Sequence, residues 1–575
     1  MIKVKIRNLI QLASISRKTF AVSMIVSIIS TILGLSMPIY LKNIIDKFQS
    51  SKIEFMDIIT AIIIFLSSVI MGSISLYLFK YIGSKSMFEI RSSIWSNILK
   101  LNLETIYSYE SGEIISRLKN DIEEINLFLT NTIPNAINYL LTFIGALIIL
   151  FILDYKIMMI TVLFIPVICL VIFPIGNITY NLSLKLQDQL SIFTSKLNNV
   201  LSNIKLVKAY TSECYEYRRI KGILKKLFVL ELKDAKLKAV VAPILSLITI
   251  GTILFIIGYA SFRISNGSLS TGTFIAILYY VLQVIPAIIS FTTVYSDIQK
   301  VRGANEKIRD LISNNNLEIK SLENINTTEV LFGDLEINNL SFSYGETTLL
   351  KDINFTIKAG ETVAIVGPSG AGKSTLFDLI LGIHKNYSGD IFYGGKNIED
   401  IDVTDLRNSI SYVPQENNVM TGTILENIVY GEKSIVCFDK ILDVCCKSDL
   451  TAMLQNSSQK FLTITGENGV FLSGGQKQKI ALARALMKNS NIYLLDEFSS
   501  NLDSRSENTL IENIYEFMKE KTCIIIAHRM STIQNADRIL FMDEGTITGV
   551  GNHKELYESH RLYKLFIDSQ NCFDK

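Results

Sequence analysis

Gly367-Pro368-Ser369-Gly370-Ala371-Gly372-Lys373-Ser374 has the spacing G-x-x-x-x-G-K-S. The β-branched apolar run Thr362-Val363-Ala364-Ile365-Val366 precedes it, and Thr375-Leu376-Phe377-Asp378-Leu379-Ile380-Leu381 follows with helical spacing. Strand, glycine-rich turn and helix are the setting a phosphate-binding loop needs. The glycines let backbone N–H groups curl around phosphate oxygens, and the helix N-terminus adds partial positive charge. Lys373 is placed to reach β- and γ-phosphates, and the Ser374 hydroxyl to sit on Mg²⁺. The bland reading, a glycine turn that happens to hold a lysine, has both flanks against it.

Around this loop, residues 334–575 alternate strand-like and helix-like runs, as in a doubly wound or related α/β domain. Ligands of such sheets bind at the carboxyl ends of strands. Ile492-Tyr493-Leu494-Leu495-Asp496-Glu497 is a buried-strand run ending in two acids. Asp496 is placed to hold Mg²⁺ through water, and Glu497 to face an attacking water. An ordinary solvated acid pair is the alternative, weakened by the loop upstream. Ile524-Ile525-Ile526-Ala527-His528 is a second such strand. A lone His is more often structural, but His528 at a strand's carboxyl end can meet a γ-phosphate.

Leu472-Ser473-Gly474-Gly475-Gln476 opens another helical pattern. It forms a second anion cradle at a helix start. One ATP already has its phosphates in the first loop. A second cradle therefore points to closure over ATP held by another subunit.

The first half reads differently. The chain has 575 residues, 49% of them hydrophobic, and the excess is concentrated in residues 18–300. Mean hydropathy is +0.33. Six runs each approach the roughly 20 apolar residues needed to span a bilayer: 20–45, 57–82, 133–153, 157–178, 240–262 and 273–293. The first is too long for a signal peptide core and reads as a retained span. Connections alternate short and long. The long ones, 83–132 and 179–239, carry Lys85, Arg91, Lys236 and Lys238. With the basic N-terminus they are expected in the cytoplasm, as is everything after the sixth span.

Both long connections have helical pattern, with turns near Ser111-Gly112 and near Lys208-Ala209. Helices continuing past the membrane are the expectation, against a solvated hairpin with no further role. Asn131, Asn135, Asn138, Tyr279, Tyr280, Gln283 and Phe291 place polar or aromatic groups in or near spans three and six. They face either a cavity or a neighbouring helix. An Asn-rich stretch, 313–333, separates the halves. The net charge of +2 gives no footprint for nucleic acid. Seven cysteines without metal-ligand spacing read as free thiols.

These residues together resemble an ATP-binding cassette exporter of the half-transporter type, membrane domain first, over essentially the whole chain. The resemblance rests on the phosphate loop, Leu472–Gln476, Asp496-Glu497 and His528, in family order. It implies an all-α six-helix membrane domain (1–318, with two cytoplasmic coupling helices at the tips), a linker (319–333) and an α/β P-loop NTPase domain (334–575). It implies that ATP and Mg²⁺ bind residues 367–375, Thr375 included. It assigns Tyr344 to adenine stacking, Gln415 to a link between Mg²⁺, water and the membrane domain, and Asp503 to a loop crossing the dimer seam. Asn501 departs from a frequent Ala, and Ile464 stands where an acid is common.

Intact Glu497, His528 and Leu472–Gln476 in one chain imply a homodimer, with a heterodimer as the alternative. The expected function is export of a hydrophobic, amphipathic or peptide substrate across the cell membrane. An ATP-gated channel or a regulator of another membrane protein is the second reading. A soluble-type ATPase with a membrane anchor is the third, and six spans exceed what an anchor needs.

Overall fold

The computed structural model describes residues 16–51, 53–109, 111–313, 316–319, 331–432, 435–499 and 504–573. The chain forms two compact units: Met1–Leu99 with Tyr109–Asn315, and Lys100–Ser108 with Asn316–Lys575.

The first unit is helical. Its long helices are Arg17–Gln49, Phe55–Lys100, Tyr155–Ser202, Glu213–Ser265 and Thr271–Ser313, together with a segmented run over 111–153. Among the described residues five helices are long and apolar enough to cross a membrane, and Tyr155–Val167 is a shorter apolar helix. The helices of 46, 48 and 53 residues reach roughly 70–80 Å. A hydrocarbon layer is about 30 Å thick, so each has length to spare. Pro38, Pro166, Pro174, Pro243 and Pro286 all sit inside continuous helices. Ile62, Phe65, Leu66, Val69, Ile70 and Leu254 are exposed, as lipid-facing side chains are.

Two clusters hold this unit together. One gathers Leu35, Ala146, Leu150, Ile256, Ala260, Ile277, Tyr280 and Val284. Helices approach closely there: a Cβ on Gly145 would lie 2.7 Å from Leu35 Cδ1. The other gathers Ile90, Ile94, Ile98, Ile122, Ile125, Leu129, Val301 and Ile308, mostly in the connections read as cytoplasmic. Two π-helical turns, Arg117–Asp121 and Phe128–Thr132, interrupt the run they belong to.

Two of the polar groups in the spans bond between helices. Asn138 Nδ2 donates to Ser27 Oγ at 2.7 Å, and Tyr280 Oη donates to the Leu35 carbonyl at 2.5 Å. Short turns are pinned by charge, Arg263 with Asp154 and Lys47 with Asp57. The second long connection carries a six-residue helix, Ile204–Ala209. In the first, the short helix is Leu103–Tyr107 and belongs to the second unit. Ser111 instead begins the next helix.

The second unit holds the sheets. Strands β1 (Leu335–Tyr344), β2 (Thr347–Ile357), β4 (Tyr387–Tyr393) and β5 (Lys396–Asn397) form an antiparallel sheet in the order β2-β1-β4-β5. Strands β3 (Thr362–Val366), β6 (Ile410–Val413), β7 (Ile492–Asp496), β8 (Thr522–Ile526), β9 (Arg538–Asp543) and β10 (Thr546–Gly551) form the other, in the order β10-β9-β3-β8-β7-β6. All its pairings are parallel except β10 with β9.

β3, β7 and β8 are buried along their whole length. Alternate residues feed two cores: Val363, Ile365, Leu494 and Ile524 enter one, and Ala364, Val366, Leu495 and Ile525 the other. A parallel strand covered on both faces needs such a continuous apolar run. Among the described residues Cys214, Cys437, Cys445, Cys446 and Cys523 are free thiols, two of them buried.

Candidate functional site

Because β3, β8 and β7 are adjacent and parallel, their carboxyl ends lie side by side. Register pairs Ile365 with Ile526 and Ile526 with Asp496. The loop after β3, the two acids after β7 and His528 after β8 thus meet at one sheet edge.

The loop at 367–372 is shaped by close approach. A Cβ on Gly367 would lie 2.1 Å from the Met542 carbonyl oxygen, so no other residue fits without movement. Gly372 has φ +93° and begins the helix Lys373–Ile380. Lys373 Nζ donates to the carbonyls of Gly367 and Pro368, at 2.8 Å each. Burial holds its pKa below the usual lysine value, against the pull of Glu497 and Asp496.

Ser374 Oγ donates to Asp496 Oδ2 at 2.9 Å. Asp496 is 2% exposed, and its Oδ1 is buried without a hydrogen-bond partner. Burial pushes this carboxyl up to about 6, opposed by the Ser374 bond and reinforced by Glu497. An orphaned carboxylate oxygen beside a hydroxyl is a pair of hard oxygen donors, suited to Mg²⁺ completed by phosphates and water. Among the described residues no three His, Cys, Asp or Glu cluster to hold a metal on their own.

Glu497 has φ +49°, a left-handed backbone rarely adopted by non-glycine residues. Its N–H still donates to the Ile526 carbonyl at 3.1 Å. Glu497 Oε1 lies 3.1 Å from His528 Nε2. Burial and the nearby Lys373 charge lower the His528 pKa, partly offset by Glu497. His528 is therefore neutral near pH 7 and can donate to the carboxylate.

Ser473 caps the helix Gly474–Lys488: its Oγ accepts from Gln476 N, and Gln476 Oε1 accepts from Ser473 N at 2.9 Å. This helix is tied to the acid pair by Gln478, whose Nε2 donates to the Glu497 carbonyl at 3.0 Å. Gln415 is exposed just beyond β6, the strand next to β7. Tyr344 ends β1; its hydroxyl lies 3.0 Å from His384 Nε2 and also meets the Thr375 side chain. Asp503 and Asn501 lie outside the described residues, as do 320–330 of the expected linker. Ile464 is exposed and bridges Thr423.

Sequence reasoning missed Gln478, His384 and Glu104. None stands in a phosphate-loop or strand-end pattern, and only packing shows their place.

The ABC transporter transmembrane region matches residues 20–288, and the ABC transporter domain matches 350–500. The chain is 30% identical to an ATP-dependent lipid A-core flippase of Syntrophus aciditrophicus, over 97% of this chain and 94% of that protein. It is 28% identical to a multidrug resistance ABC transporter ATP-binding and permease protein of Lactococcus lactis subsp. cremoris, over 96% and 93%. Its fold is similar to a bacterial Atm1-family ABC exporter solved with ATP bound, with TM-score 0.80, 23% identity, and 96% and 98% of the two chains covered.

Proposed function

Since the chain belongs to the ABC transporter family, as a half-transporter exporter with membrane and ATP-binding regions in one polypeptide, we propose that it works as a homodimer that moves a lipid, amphipathic drug or peptide out of the cell by alternating access. ATP-driven export is what the family does. The reading adds two ATP molecules at a seam between copies, each held by residues 367–375 of one subunit and Ser473–Gln476 of the other. It places membrane, linker and ATP-binding regions at 1–318, 319–333 and 334–575, the last in the cytoplasm.

One observation carries it: Lys373, Ser374, Asp496, Glu497 and His528 converge at one sheet edge of a chain that also holds several membrane-length helices.

In the proposed cycle the loop's N–H groups and Lys373 bind the phosphates. Lys373 exchanges its carbonyl partners for phosphate oxygens. Glu497, held by His528, orients water for in-line attack and accepts its proton. Mg²⁺, held by Ser374 and Asp496, would supply charge neutralisation between the phosphates. Closure of the seam is favoured because ATP binds the closed dimer better, and that difference shifts the membrane helices between two states.

The substrate classes follow the relatives, whose names speak of lipid A-core and multidrug transport. They also follow spans poor in ionisable side chains. The test is purified protein in sealed proteoliposomes, with ATP and Mg²⁺. ATP-dependent accumulation of a fluorescent lipid, a cationic amphiphile or a peptide against its gradient supports export. Dissipation of gradients alone supports a gated channel instead. A monomeric protein that still transports would sink the dimer.

A further inference from the structure

Away from the phosphates, a hydrogen-bonded chain runs from the aromatic at the end of β1 to a residue far earlier in the sequence. Tyr344 Oη lies 3.0 Å from His384 Nε2, and His384 Nδ1 lies 3.1 Å from Glu104 Oε1. The His384 side chain is only 12% exposed. Its ring centroid is 5.1 Å from Phe342 and 5.3 Å from Tyr344, the latter edge-on.

The direction of the bonds follows from the donors. An ionised carboxylate only accepts, so Nδ1 carries the proton that points to Glu104. In the neutral ring Nε2 is then an acceptor, and the Tyr344 hydroxyl donates to it. The Tyr344 ring, half exposed, is thereby held by its hydroxyl at one end, where the Thr375 side chain is a second partner, and by Phe342, 4.8 Å away, at its side.

Glu104 is itself held in place. It lies on the helix Leu103–Tyr107, capped by Asn102, whose side chain accepts from Thr105 N at 3.1 Å. The same segment pairs with 316–318: Asn102 N donates to the Asn316 carbonyl at 3.1 Å, and Glu318 N to the Lys100 carbonyl at 2.7 Å. Arg407 then joins Glu318 to the loop just before His384, through its bond to the Leu381 carbonyl at 3.1 Å. Both ends of the Glu104–His384 bond are therefore anchored on one clamp.

We infer that His384 is a positioning residue for nucleotide binding, which orients Tyr344 through its hydroxyl and makes that orientation depend on Glu104. The inference rests on the proposed function, in which Tyr344 stacks on the nucleotide base. It goes beyond that reading in naming a relay from the base site to residues 100–108, a segment flanked on both sides by the chain of the helical unit. A base that stacks on a pre-oriented ring does not itself have to order that ring.

The test uses the full chain in lipid nanodiscs. ATP hydrolysis is measured for wild type, His384→Ala, His384→Gln, Tyr344→Phe, the His384→Ala/Tyr344→Phe double variant, Glu104→Ala and Glu104→Gln. His384→Ala is expected to raise KM for ATP about five-fold, with kcat within about two-fold. His384→Gln and Glu104→Gln, which keep a donor or acceptor in reach, should restore most of the affinity. Tyr344→Phe, which also loses the Thr375 bond, should raise KM at least as much as His384→Ala, and the double variant should be no worse than Tyr344→Phe alone.

Multiplying effects in the double variant would overturn the relay, as would an unchanged KM or a fall in kcat alone. If His384→Ala fails to fold, Glu104→Ala decides in its place: it should raise KM in the same direction, and an unchanged KM would overturn the relay. Wild type unable to hydrolyse ATP would instead defeat the proposed function.

Discussion

Glu497 Oε1 and His528 Nε2 face each other at 3.1 Å across the ends of two adjacent parallel strands. The backbone that carries this carboxylate takes φ +49°. Strain of this kind costs about 1–3 kcal/mol and persists where the surroundings impose it. Here the Ile526 carbonyl, the Gln478 amide and His528 impose it together.

The first prediction concerns that carboxylate. Glu497→Gln keeps the size and an oxygen that accepts from His528, but it loses the negative charge and the base. Steady-state hydrolysis should fall by roughly 10²–10⁴-fold, with nucleotide affinity within about three-fold. Fluorescent-ATP binding alongside a phosphate-release assay checks both. Normal turnover in the variant would remove Glu497 from the chemistry.

Asp496 gives a pH prediction. Its folded pKa, about 6, is raised above the ordinary 3.8 mainly by burial. The folded state thus binds a proton more tightly than the unfolded one. Stability present below about pH 4 is lost as pH rises through about 6. Asp496→Asn, which cannot ionise, should melt later than wild type at about pH 7.5 in EDTA, by about 2–6 °C. The gap should close between about pH 6 and pH 4. A thiol-reactive dye reporting the buried Cys445 and Cys523 provides the melting curve. With ATP and Mg²⁺ added the order should reverse, because only wild type keeps the carboxylate. A gap independent of pH would show that the burial of this carboxyl carries no such cost.

The architecture was legible because it is written in periodicity. Apolar runs of membrane length, and short buried strands ending at Val366, Asp496 and Ile526, can be read one segment at a time. What brings segments together was not legible. Nothing in Leu103–Tyr107 marks it as packing with the ATP-binding unit. The turn near Ser111-Gly112 was the visible signal, because glycine and serine break a helical pattern. The real helix lies eight residues earlier at its start and depends on the Lys100–Glu318 pairing for its place. Tyr344 could be noted as an aromatic, but its partner His384 is 40 residues on and Glu104 is 280 residues from that partner. Such contacts are products of folding and leave no local pattern.

Ser473 separates two roles of one hydroxyl. Its oxygen accepts from Gln476 N as the helix cap, while its proton is a donor that a phosphate could take. Ser473→Asp should retain the cap and the melting temperature but place a negative charge where the proposed seam puts a γ-phosphate. Hydrolysis should drop at least about ten-fold. Ser473→Ala should lose the cap as well, about 1 kcal/mol, and melt earlier. Full activity in the Asp variant would argue that no anion meets this helix start.

Ile94 is fully buried in the cluster with Ile90, Ile98, Ile122, Ile125 and Ile308, in the connection read as lying outside the bilayer. In water, burial of such a side chain stabilises by about 1.5–3 kcal/mol, whereas between lipid-immersed helices the hydrophobic drive is absent. Ile94→Ala should therefore cost about 2–5 kcal/mol through lost burial and an unfilled cavity. It should leave KM for ATP unchanged, since Ile94 and the phosphate loop belong to different units. The matched control is Ile70→Ala, an exposed position within the second span, which should cost far less. Thermal unfolding in nanodiscs with ATP hydrolysis on the same samples measures both. Equal destabilisation at the two positions would mean that the Ile94 cluster is surrounded by lipid, and the cytoplasmic reading of the first long connection would have to be moved.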